Sequence, residues 1–179
     1  RNTKKYPQEG TYVVDDRVTD FGERILGVAY NNGFCAFSVK KYGLNEEIGV
    51  LWRIAKAFSD EEASIWFPPG GIDDLSFVVR QEHLKDDHMI GRIKNSIYRV
   101  VSERAKITFY DHLGCLAVVG KGLAGRRGIS ADIQKTIAET GINIRFISQG
   151  IEEDSISYGV DDTDGPKGVR AIYDHFLRE

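Results

Sequence analysis

The sequence predicts an α+β protein made of two βαββαβ units, the first inserted in the second. Three observations carry this. Strand-like and helical patterns alternate along the chain. A stretch in the second quarter repeats in the third without a gap. The strand count balances only if one unit interrupts the other. Each unit is expected to form a four-stranded antiparallel sheet with two helices on one face, a ferredoxin-like arrangement.

The repeat is the firmest of the three. Gly49 shifted by 79 positions falls on Gly128, and the same shift pairs Ile54 with Ile133, Lys56 with Lys135, Ile65 with Ile144 and Phe67 with Phe146. Further on it pairs Gly71 with Gly150, Ile72 with Ile151 and Ser76 with Ser155, and sets Asp73 and Asp74 against Glu152 and Glu153. A match that crosses helix, strand, turn and next strand marks one supersecondary unit present twice.

In order along the chain, Ile25–Tyr30, Phe34–Val39, Ala63–Phe67, Leu75–Val79, Lys106–Tyr110, Cys115–Val119, Ile142–Ile147 and Ser155–Val160 read as strands. They are rich in β-branched and aromatic residues or alternate apolar with polar. Four helical stripes lie between them: Ile48, Leu51, Trp52, Ala55 and Phe58; Ile90, Ile93, Ile97, Val100 and Val101; Ile129, Ile133, Ile137 and Ala138; Val169, Ile172, Tyr173 and Phe176. Asp164 or Thr163 is the expected N-cap of the last helix, with Pro166 near its first turn. The second unit lacks a fourth strand, and Ile25–Tyr30 is the spare one. The expected division is therefore 34–111 for the first unit and 24–33 plus 112–179 for the second, with 1–23 a linker.

Composition narrows the function. The chain has 179 residues, 41% hydrophobic and 28% charged, with net charge −3. That balance argues against the basic face that a nucleic acid or an anionic membrane would require. No apolar run reaches the roughly 20 residues of a membrane-spanning helix. Cys35 and Cys115 lie in apolar strand-like runs and read as buried, reduced thiols, which fits a cytoplasmic setting. The chain begins at Arg1, not Met, and its polar opening suggests a segment of a longer protein.

Gly120, Gly122 and Gly125 spell G-x-G-x-x-G between a strand and a helix, but the acidic residue of a dinucleotide fingerprint is missing near Ser148 and Gln149. Two readings stay open: a flexible turn, or a loop whose N–H groups suit a carboxylate at a helix start. In the first unit the matching loop runs from Tyr42 to Gly49. The hairpin Pro68–Asp74 joins a rigid Pro-Gly turn to two acids, Asp73 and Asp74, that suit an ammonium group or simply face solvent. His83, His88, His112 and His175 have no metal-binding spacing, and Asp161, Asp162 and Asp164 lack the Glu of a calcium loop. No catalytic residue set is legible.

Two nested βαββαβ units resemble the tandem ACT modules of the C-terminal regulatory region of a monofunctional aspartate kinase, in its lysine-responsive branch. Lys41–Gly49, Gly71–Ser76 and Asn143–Gly159 carry the detailed likeness, and Arg1–Thr11 looks like the segment leaving a kinase domain. The resemblance implies a feedback sensor for an end-product amino acid, lysine first and threonine second. It implies a homodimer through the modules, an attached kinase domain using ATP and magnesium, and no cofactor in this part. The ligand positions it implies are Asn45, Glu46, Glu47, Ile48, Gly49 and Val50, then Ser64, Ile65 and Trp66, then Gly70, Gly71, Ile72, Asp73 and Asp74. N–H groups near Ile48, Gly49 and Val50 would hold the α-carboxylate, and Asp73 or Asp74 an ammonium group. Where that branch tends to place an acid and a histidine, this chain has Trp66 and Phe67, so that Trp66 offers a cation–π face instead. A purely structural dimerisation module and an RNA-binding sheet are the alternatives; the latter requires a basic sheet face.

Overall fold

The computed structural model describes residues 25–102 and 104–178. Two strands of 14 residues run antiparallel through its middle, Gly27–Lys40 (β1) and, late in the chain, Lys106–Val119 (β4). Between them come a helix Val50–Ser59 (α1), the strands Ile65–Phe67 (β2) and Asp74–Arg80 (β3), and a helix Asp87–Val101 (α2). After β4 follow a helix Ile129–Glu139 (α3), the strands Phe146–Gln149 (β5) and Ser155–Asp161 (β6), and a helix Gly165–Phe176 (α4). The six strands among the described residues form one antiparallel sheet in the order β2-β3-β1-β4-β6-β5.

The two expected four-stranded sheets are therefore fused. Phe34–Lys40 of β1 lies between β3 and β4, while Gly27–Asn31 pairs with Cys115–Val119 of β4. Each βαββαβ unit thus has its four strands, and the spare strand of the sequence supplies the second unit.

What reads in the sequence as four separate strands is two long ones, because polar residues between the apolar runs form bulges and not ends. Gly33 (φ 74°) in β1 and His112 (φ 53°) in β4 mark the places where the register slips by one residue. A one-residue slip exchanges the faces of everything beyond it. Val28 and Tyr30 before the slip, and Phe37 and Val39 after it, all pack on the helix side of the sheet. In β4, Ile107 and Phe109 do the same before the slip and Leu116 and Val118 after it. Without the paired bulges one half of each strand would turn its apolar residues to the wrong face.

Three apolar clusters result. Under α1 and α2, Phe37, Ile54, Phe58, Phe77, Ile93 and Ile97 are fully buried. Under α3 and α4 the corresponding group is Leu116, Ile133, Ile137, Ile156, Tyr158 and Ile172. The third cluster lies on the other face: Phe34, Ala36, Val78, Leu113 and Cys115, closed over by Phe67 and Phe146.

Both cysteines are buried and unbridged. The strand expected from Ile142 begins only at Phe146; Ile142 is instead a buried anchor of the second cluster. Asp164 stands at the N-cap of α4 but makes no side-chain cap, whereas Asp86 caps α2 through Met89 N–H at 2.7 Å. Among the described residues no helix is long and apolar enough to cross a membrane. The expected linker, 1–23, and the Arg1–Thr11 likeness lie outside the described residues.

Candidate functional site

In the first unit, the chain leaves β1 at Lys41 and reaches α1 through a tight loop. Gly43 (φ 70°) opens a 3-10 turn over Leu44–Glu46, and Gly49 (φ 72°) forms the left-handed step into α1. Leu44 is fully buried and pins the loop, while Ile48 beside it is 98% exposed. The loop bonds to itself through Glu46 N–H to Gly43 O (3.1 Å) and Val50 N–H to Glu47 O (3.2 Å).

The β2–β3 hairpin is fastened to this loop. Lys41 N–H donates to Asp73 O at 2.9 Å, Gly43 N–H to the Asp73 carboxylate at 2.8 Å, and the Asn45 side-chain amide to Gly71 O. Beneath them Glu47 accepts from Lys41 and from Arg53 Nη2 (2.9 Å). The hydrogen bond from Lys41, above all, and the Arg53 contacts hold the Glu47 carboxyl below its ordinary range against a smaller opposing effect of burial.

The structure thus brings Asn45 to Gly71 and sets Asp73 against Lys41 and Gly43, while Glu46–Val50 complete the same loop. Ser64, Ile65 and Trp66 lie elsewhere: Ile65 pairs with Val79 at one end of β3, whereas Gly70 bridges to Leu75 at the other. The Trp66 ring meets Phe34 edge-on at 5.4 Å, and the Arg80 guanidinium lies 5.7 Å from its centroid. The cation–π face that the sequence offers to a ligand is thus engaged by a residue of the chain. Of the expected carboxylate holders, the Val50 N–H is engaged by Glu47 O. Asp73 and Asp74 also part company, because Asp74 lines a cavity on the helix-free face of the sheet with Ser76.

The second unit repeats the plan. Gly120 N–H donates to Asp154 O at 3.0 Å, a 3-10 turn covers Lys121–Leu123, and Gly125 N–H donates to the Glu153 carboxylate at 2.7 Å. Gly128 (φ 86°) then opens α3 as Gly49 opens α1. The G-x-G-x-x-G stretch is therefore a turn strapped by an acid of its own hairpin. Sequence reasoning missed the roles of Lys41, Arg53 and Glu153; for Glu153 the signal was available, since the repeat sets it against Asp74.

Residues 116–176 match the model of the ACT domain family. Over 180 aligned positions the chain is 30% identical to aspartokinase 3 of Bacillus subtilis, covering 99% of this chain and 38% of that protein. Its backbone superposes on the crystal structure of Clostridium acetobutylicum aspartate kinase with a TM-score of 0.78 and 29% identity, over 85% of this chain and 34% of the other. The chain is an ACT regulatory region of the aspartokinase family.

This aspartokinase region spans little more than a third of those two relatives. It matches nearly the whole regulatory subunit of the Thermus thermophilus enzyme, ligand-free, with a TM-score of 0.70, 19% identity, and coverage of 85% here and 97% there. Escherichia coli aspartokinase III, solved in complex with lysine and aspartate, shares the fold at 11% identity, with a TM-score of 0.68 over 86% of this chain and 33% of that one.

Proposed function

We propose that this region senses an end-product amino acid, lysine first and threonine second, at the loop–hairpin junction of its first unit, and thereby biases an attached aspartate kinase. The observation that carries the reading is the junction itself. A helix start at Gly49 suits a carboxylate, and it ends the loop that is fastened to a hairpin whose Asp73 has one oxygen bonded to Gly43 and a second available to an ammonium group. The lysine complex of the E. coli enzyme, which shares the fold, supports the choice of ligand.

The units are taken as 34–111 and 24–33 plus 112–179, with 1–23 leading from a kinase domain. That kinase would phosphorylate the aspartate carboxylate with ATP and magnesium, in the cytoplasm, outside the residues described here. Pairing of two copies through the ACT units would transmit the signal, with a coupling of about 1–3 kcal/mol between effector and kinase. Neither nucleic acid nor membrane has a part in this reading. Calorimetric titration of the chain with L-lysine and with L-threonine tests it. Saturable heat from at least one, in the micromolar to millimolar range, is expected; absence of heat from both at millimolar ligand would overturn the reading.

A further inference from the structure

The helix-free face of the sheet holds a cavity that the loop–hairpin junction does not use. A flat sheet of six strands would hold its edges roughly 24 Å apart, at about 4.8 Å per strand. Here Phe67 of edge strand β2 and Phe146 of edge strand β5 have ring centroids 5.8 Å apart, so the sheet rolls until its edges meet. The roll leaves a half-open hollow of about 250 Å³ over the middle of β1, room for roughly eight waters at ~30 Å³ each, or one small amino acid.

The lining is chemically ordered. Ala36 and Val78 give an apolar floor. One row along, Ser38 faces Ser76 directly across the strand pair, a pair of hydroxyls inside the cavity. Asp74 lies on the β3 side. Arg145, just before β5, lies on the β4 side, its guanidinium 5.4 Å from the Tyr110 ring centroid and its Nη1 3.0 Å from Asp161. That single bond leaves the guanidinium further donors in its planar fork. Strands β3 and β4 are separated by β1, so acid and cation flank the cavity from opposite sides. The repeat gives this site no twin: Trp66 stands where the second unit has Arg145, and Glu153, the counterpart of Asp74, is bonded to Gly125.

We infer that this cavity is a second small-molecule site, which takes a zwitterion of the amino-acid class with its carboxylate toward Arg145 and its ammonium toward Asp74. Hydroxyls between the charges serve either end, and the apolar floor accepts a short side chain. The inference stands independently of the reading of the loop–hairpin junction.

Amide NMR of the labelled chain tests it, with L-threonine and L-lysine as probes and acetate and ethylamine as single-charge controls. Saturable shifts at Ser38, Ser76 and Tyr110 with at least one amino acid, and none there with either control, are expected. Arg145→Gln should weaken that binding at least about tenfold, and Ser76→Leu, which fills the cavity, should abolish it while leaving shifts at Asn45–Val50 intact. Shifts confined to Asn45–Val50 would overturn this site and leave the junction standing. No shift anywhere would overturn both. Acetate binding as well as the amino acids would overturn the zwitterion assignment, and unchanged binding in Arg145→Gln would overturn the role of that residue.

Discussion

The Glu153 carboxylate accepts from the Gly125 N–H at 2.7 Å, and in the other unit the Asp73 carboxylate accepts from the Gly43 N–H at 2.8 Å. In both units an acid of the hairpin straps the loop that opens the first helix. The two contacts do not occupy equivalent positions in the repeat, so the strap is a shared solution and not a copied detail. Replacing Glu153 with Ala should cost about 1 kcal/mol and raise hydrogen exchange at Gly125 without loss of helix by circular dichroism. Unchanged exchange at Gly125 would show that the strap does not hold in solution.

The ion triad around Glu47 fixes a pH dependence. Lys41 and Arg53 hold the Glu47 carboxyl below its ordinary value, so its contribution to stability is present above the unfolded-state pKa of about 4.3 and is lost as pH falls through the lower folded value. Because the group is partly exposed, Glu47→Gln should cost at most about 1 kcal/mol at neutral pH. The difference in Tm from the parent should disappear in acid. A difference that grew on acidification would contradict the sign.

Cys35 should be chemically silent in the folded chain. Burial, with a smaller push from the Asp111 charge, raises its thiol to about 12, so little thiolate forms at neutral pH. Burial raises the Cys115 thiol as well. Iodoacetamide at mildly alkaline pH should label neither cysteine in buffer and both in denaturant. Rapid labelling of Cys35 in the native state would mean that the core under α1 opens readily.

Gly33 carries the bulge that lets one strand serve two units. A Cβ there would meet nothing within 4 Å, so the cost of Gly33→Val is conformational and not steric. At φ 74° that cost should be about 1–2 kcal/mol, read from chemical denaturation. A neutral effect would mean that the bulge can move along β1.

The sequence held much of this fold in plain view. The match of Gly49 with Gly128 reports true equivalents, each opening the first helix of its unit at positive φ, and Phe67 and Phe146 both close over the third cluster, although one ends β2 and the other begins β5. The fusion of the two sheets was not legible, because Asn31, Asn32 and Asp111 look like strand ends when periodicity is the guide. Only tertiary pairing shows that they bracket bulges. At the candidate site, the loop and hairpin residues Asn45 and Asp73 were legible from their charge and turn chemistry. Their internal bonding was not, since nothing local says that Asp73 will bond Gly43 or that Glu47 will sit between Lys41 and Arg53. Family likeness set Trp66 on a strand that faces the loop from a partner module, and within one chain its strand pairs at the far end of β3.

The most direct measurement compares effector binding to the parent chain, Gly49→Leu and Gly128→Leu, by calorimetry with L-lysine and L-threonine. Both glycines open a helix at positive φ with open space at the Cβ, so the two substitutions carry the same backbone strain, and melting curves check that each variant folds. With Ser76→Leu present in all three chains to fill the cavity on the helix-free face, the account expects Gly49→Leu to lose binding and Gly128→Leu to keep it. Normal binding by Gly49→Leu, or loss confined to Gly128→Leu, would contradict the assignment of the sensing site to the first unit.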